Sequence, residues 1–146
     1  MIAGITLSCS GCSGKGALSP REAFDKAASA YRSEDAGAIL KLYSKETLAI
    51  YSDAVRTINA MNAEQRRALS ANQLIPSEGS ISIRDFVGFH IKAAHQNSDD
   101  PVFESLTHSI MLIDVKGDRA VIKTDNGVLL HFVREGLFWK FSPEER

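Results

Sequence analysis

Long apolar runs are missing from this 146-residue chain, so no segment approaches the roughly 20 apolar residues that a membrane-spanning helix needs. An excess of either charge is missing too. Seventeen basic side chains stand against eighteen acidic ones, a net charge of −1. Nucleic acid is therefore not the expected partner, because phosphate backbones are bound by concentrated Lys and Arg. Catalytic signatures are also absent: there is no His-x-x-x-His, no serine nucleophile elbow and no glycine fingerprint for a dinucleotide. Cysteine occurs only twice, as Cys9-Ser10-Gly11-Cys12. A redox pair at that spacing would open a helix after a strand, and a structural zinc would need two further ligands nearby; neither context is present. Gly11-Cys12-Ser13-Gly14-Lys15-Gly16 fails as a phosphate loop, since the glycine spacing is too short and Gly16 replaces the magnesium-holding hydroxyl. No metal and no cofactor is expected.

What remains is 44% hydrophobic and 24% charged, which suits one ordinary globular domain and excludes intrinsic disorder. Its first fourteen residues carry no charge. They run from apolar (Met1 to Leu7) through small residues to Cys9, then into a Ser/Gly stretch ending near Gly16. This order resembles the end of a bacterial lipoprotein signal peptide, with Ser8, Leu7 and Thr6 preceding the cysteine. In that family Leu is usual where Thr6 stands. The resemblance implies that the Cys9 thiol takes up a diacylglyceryl group with palmitate-like chains, that cleavage follows, and that the new N-terminus anchors the domain in the membrane. A signal peptide needs about 7–15 apolar residues behind a basic start. Met1 is accordingly read as an internal start, with the frame beginning upstream. Residues 1–18 then make up a truncated signal, lipobox and flexible tether, and residues 19–146 a single domain. A functionless tail on a cytosolic domain is the competing reading.

The period of the apolar residues changes once along the domain. Ser19-Pro20-Arg21-Glu22 is a helix start with a cap, a first-turn proline and a capping-box glutamate. Phe24, Ala27, Ala28 and Tyr31 follow at helical spacing, and Ser33-Glu34-Asp35 breaks that helix. Ala36 to Tyr43 makes a second helix. Ser44 caps a third, which carries Leu48, Tyr51, Val55, Ile58 and Met61. Asn62 to Gln65 starts a fourth carrying Ala68 and Leu69, its Arg66-Arg67 pair forming a solvated face. Ser82 and Asp85 cap a last helix with Phe86, Phe89 or His90, and Ala93 or Ala94 inward. From Leu106 to Val115 the pattern alternates as a strand. Returns follow at Arg119 to Thr124, Val128 to Arg134 and Leu137 to Ser142, and Asn126-Gly127 marks a tight hairpin. The fold class is therefore α+β, with N-terminal helices packed on a C-terminal four-stranded antiparallel meander.

Asp118-Arg119-Ala120-Val121-Ile122 as a return strand, the short helix of Ser33 to Tyr43, and the closing Val133-Arg134-Glu135-Gly136-Leu137-Phe138-Trp139-Lys140-Phe141 together resemble the nuclear transport factor two-like superfamily. The resemblance covers roughly Ser19 to Ser142. It implies a sheet curled round a cavity, and dimerisation through the sheet's open face. It also implies either a binding role or isomerase or dehydratase chemistry with an Asp or His inside. The long helical section from Thr47 to Gln96 departs from the usual member.

Candidate chemistry rests on His108, which the alternation places on a strand, and on His131. If either faces Asp114, Tyr51 or Asp85 in a pocket, general acid–base catalysis follows. Otherwise these are histidines satisfied by ordinary hydrogen bonds. Tyr51, Phe89 and Trp139 are the candidate lining of an apolar ligand site, though Trp139 with Phe138 and Phe141 reads rather as core. The expectation is a lipid-anchored, periplasmic or surface-facing bacterial envelope domain that binds a small apolar ligand or a protein partner. An isomerase-like enzyme is the alternative.

Overall fold

Ser19 opens the first helix through the contacts its spacing predicts. In the computed structural model, which describes residues 16–72, 75–97 and 100–144, the Glu22 amide donates to Ser19 Oγ at 3.1 Å. The Glu22 carboxylate accepts from the Leu18 amide at 2.7 Å. Helix α1 then runs Pro20–Arg32. It ends in a Schellman motif: the Glu34 amide donates to Tyr31 O at 3.1 Å and the Asp35 amide to Ala30 O at 2.8 Å. Glu34 takes the left-handed position of that motif, with φ 52°. Asp35 at once caps α2, Ala36–Leu42.

Ser44 caps α3, Lys45–Ala60. Reciprocal side-chain and backbone bonds between Asn62 and Gln65 precede α4, Ala63–Asn72, and the same arrangement between Ser82 and Asp85 precedes α5, Ile83–Asn97. The cysteine motif lies outside the described residues.

Two stretches differ from the sequence reading. Residues 106–109 are not strand: Asp100 caps a short helix α6, Pro101–Ser105, by accepting the Val102 and Phe103 amides, and a turn carries His108 into the sheet. Phe103 and Leu106 are buried by this turn of helix, and that burial is the tertiary reason for it. The folded part also reaches back past the expected boundary at Ser19. Ala17 is fully buried and bridges to Trp139, accepting its amide at 2.8 Å. Gly16 packs so closely against the Phe138 ring that a Cβ there would collide with it.

The meander is β1 Ile110–Lys116, β2 Arg119–Thr124, β3 Leu129–Glu135 and β4 Phe138–Phe141, antiparallel and in sequence order. At the β2–β3 hairpin Gly127 sits at φ 86°, a conformation that favours glycine. One face of the sheet, with Ala120, Ile122, Leu130, Phe132 and Phe141, is buried. Helices α1 and α2 cover it at β4, and α6 covers it at β3. The opposite face carries exposed Leu112 and Leu129 among charged neighbours.

Arg66 departs from its expected place on a solvated face. It is 5% exposed, with Nη2 2.7 Å from Gly79 O and Nη1 3.4 Å from Ile58 O. The guanidinium thus ties the 75–82 loop to the last turn of α3. Its neighbours Arg67 and Ala68 are exposed.

Candidate functional site

The residues singled out for acid–base chemistry are dispersed. His108 sits in the turn before β1, and its Nδ1 lies 2.6 Å from Asp125 Oδ1 in the β2–β3 hairpin. The Asp125 amide donates to Ser109 O, and the Asn126 amide group bridges to Ser105 Oγ. The His108–Asp125 pair is therefore one of several ties between the α6–β1 turn and the hairpin. Asp114 and His131 share a row across the sheet with Val121 between them. Two strand spacings, about 9–10 Å, separate their backbones, on the face away from the core. Neither Tyr51 nor Asp85 joins them: Tyr51 is buried under α5, and the Asp85 carboxylate is held below its ordinary range by the Ser82 amide and hydroxyl that it caps.

The aromatic candidates have three different settings. Trp139 is buried on the inner sheet face, with the Arg134 guanidinium 6.0 Å from the ring centroid. Tyr51 packs edge-on against Tyr43 at 5.4 Å and against Phe86 at 5.5 Å. Burial raises both phenols well above the ordinary tyrosine range. Burial likewise lowers His90, whose ring lies 4.4 Å from Phe86 and 6.0 Å from Tyr51, and so favours its neutral form.

Phe89 opens onto a cavity. A cleft of about 580 Å³ separates the α1–α2 turn from α5. One wall is Ser33, Glu34, Asp35 and Ala36; the other is Arg84, Asp85, Gly88, Phe89 and Lys92. Arg84, Gly88 and Lys92 recur every four residues, so they form one stripe along α5. The two cations lie about 12 Å apart on it at 1.5 Å per residue. A Cβ at Gly88 would make only ordinary contact with Ala36, at 3.8 Å, so the approach of α2 does not depend on glycine there. The acidic wall is placed by the Schellman turn, and the basic stripe by the Ser82–Asp85 cap that starts α5. The cleft can thus hold a ligand with charges of both signs around an apolar group. Sequence reading points to Phe89 but not to its neighbours, because Glu34 and Arg84 meet only across the helix pair. The available signal was the four-residue spacing of Arg84, Gly88 and Lys92.

Among the described residues no helix is long and apolar enough to cross a membrane, and no three His, Cys, Asp or Glu side chains group as a metal site requires. No protein-family model, curated protein or solved structure matches the chain.

Proposed function

We propose that this chain is a bacterial envelope lipoprotein domain, anchored through Cys9, that works by binding a polypeptide partner in the cleft between the α1–α2 turn and α5. The observation carrying the binding reading is the cleft's composition: an aromatic ring flanked by Arg84 and Lys92 on one wall and Glu34 and Asp35 on the other. Such a surface suits a peptide segment with an apolar side chain between charges of both signs. A wholly apolar ligand would leave those charges poorly solvated.

Glu34 adds a second support. A non-glycine residue held at φ 52° costs stability that glycine would not, and such outliers concentrate where a side chain has work to do. The order of helices followed by a four-stranded meander agrees in outline with the nuclear transport factor two-like resemblance. The inner sheet face is filled by Ile122, Leu130, Phe132 and Phe141, which directs the search for a partner surface outward. The anchor reading rests on the residues around Cys9. From Cys9 to Gly16 the chain spans at most about 25 Å, so the domain would work close to the bilayer.

A photoreactive residue at position 89, irradiated in the intact envelope, tests the binding. One discrete cross-linked species is expected. It should disappear in the Arg84→Glu/Lys92→Glu double variant and be absent with the probe at Leu129. Failure to see a species specific to position 89 refutes the proposal. Acyl-chain labelling with Cys9→Ala as control tests the anchor separately: an unlabelled parent chain refutes it.

A further inference from the structure

Strand alternation sends one set of side chains of the meander away from the helices. The pairing register puts Lys116, Arg119, Val133 and Lys140 in a single row across all four strands, and Leu112, Lys123 and Leu129 in another. Four cations therefore stand on this outward face, against the two carboxylates of Asp114 and Glu135. Both carboxylates are engaged: Asp114 Oδ2 lies 3.3 Å from Lys116 Nζ, and Glu135 Oε1 accepts the Lys45 amide at the start of α3. Lys140 donates to Lys41 O at the rim. The face is thus basic in a chain whose net charge is −1. It is apolar as well, for Leu112 and Leu129 on either side of Lys123 are 58% and 52% exposed.

Two observations narrow what covers such a face. A second copy of it would set cations against cations, whereas a flat anionic surface complements them. The position of the N-terminal segment is the other. Gly16 packs against the ring of Phe138, whose place on β4 has the outward parity opposite to buried Trp139. The segment from Cys9 therefore joins the domain beside this face. Seven residues separate Cys9 from Gly16, at most about 25 Å of chain, and the four-stranded row is only about 14 Å wide.

We propose that the outward sheet face lies on the bilayer, as a docking surface for anionic phospholipid headgroups. Lys116, Arg119 and Lys123 meet the phosphates, and Leu112 and Leu129 enter the interface. The inference rests on the anchor at Cys9, which holds the face at the surface and multiplies a weak affinity. It also gives the cleft its direction: α1 and α2 cover the opposite side of the sheet, and α5 packs on α2, so the helical layer turns away from the membrane.

The test uses the full chain carrying Cys9→Ala, so that no acyl group contributes. It is floated with vesicles of phosphatidylglycerol and phosphatidylethanolamine, and with vesicles in which phosphatidylcholine replaces the phosphatidylglycerol. Binding is expected to be about tenfold tighter on the anionic vesicles and to vanish in about 0.5 M salt. Lys116→Glu/Lys123→Glu should weaken it about tenfold. Arg56→Glu/Arg67→Glu makes the same change of charge at exposed positions of α3 and α4, and should stay within about threefold of the parent. Should the first variant fail to fold, Leu129→Asp serves instead, with a several-fold loss expected. The proposal is overturned if the anionic vesicles are not preferred, if both double variants weaken binding equally, or if the chain forms a dimer that Leu129→Asp dissociates. Acyl labelling keeps the two readings apart. A labelled parent chain without the vesicle preference removes this proposal and leaves the anchor; an unlabelled one with the preference intact removes the anchor and supports the face.

Discussion

Replacing Glu34 by glycine should stabilise this protein, although it removes a charged side chain and introduces the most flexible residue. Glu34 occupies the position after the end of α1 at φ 52°, in the left-handed region, with the Schellman bonds on either side of it formed. An L-residue with a Cβ costs roughly 1–2 kcal/mol there. Glycine avoids that cost but loses about 0.5–1 kcal/mol of extra chain entropy on folding. The balance is a gain of about 0.5–1 kcal/mol, which for a domain of this size raises Tm by roughly 2–5 °C. Glu34→Ala is the matched control: it deletes the carboxylate, keeps the strained φ, and should stay within about 0.5 kcal/mol of the parent. Urea unfolding monitored by circular dichroism, with thermal scans in parallel, separates the two. If the glycine variant is no more stable than the alanine variant, the backbone argument is wrong. If the left-handed residue is retained for the cleft, the stabilised glycine variant should also lose the cross-link at position 89.

Three further outcomes concern buried polar groups. Ser44 Oγ accepts the Thr47 amide, donates to Thr47 Oγ1 and accepts from Ser142 Oγ, so Ser44→Ala should cost about 1–3 kcal/mol in denaturant unfolding, and a loss near zero would refute the network. Arg66→Ala should cost about 2–3 kcal/mol by releasing the Ile58 and Gly79 carbonyls. Arg66→Met should cost less, because it keeps the stem and removes a buried charge; equal, negligible effects would contradict the burial. Burial lowers His90, so below about pH 6.5 the unfolded chain takes up a proton there more readily than the folded one. Stability should therefore fall as pH drops from 7 to 5, and His90→Gln should flatten that slope; an unchanged slope would show that His90 does not contribute.

Short-range chemistry was the legible part. Ser19 with Glu22, Asn62 with Gln65 and Ser82 with Asp85 announced helix starts because a cap is a contact three residues long. Asn126-Gly127 announced its hairpin for the same reason. Helix α6 was hidden, since five residues are too few to show a helical period, and Asp100-Pro101 becomes a start only when Phe103 and Leu106 find the core. Arg66 shows the same limit: nothing within its own helix reveals that the Gly79 carbonyl closes over it. His108 reads as a strand residue by parity and instead meets Asp125 across seventeen positions.

The sequence by itself determined the α+β class, the order of the elements and most of their boundaries, because capping, apolar period and turn residues all act within a few positions. It also carries the whole case for a lipid at Cys9. The tertiary structure alone decided which side chains share a space: that Phe89 opens onto a charged cleft, and that Tyr51 packs edge-on against both Tyr43 and Phe86. Those outcomes depend on how α2, α3 and α5 cross one another. Packing shape sets that crossing, and no local pattern along the chain encodes it.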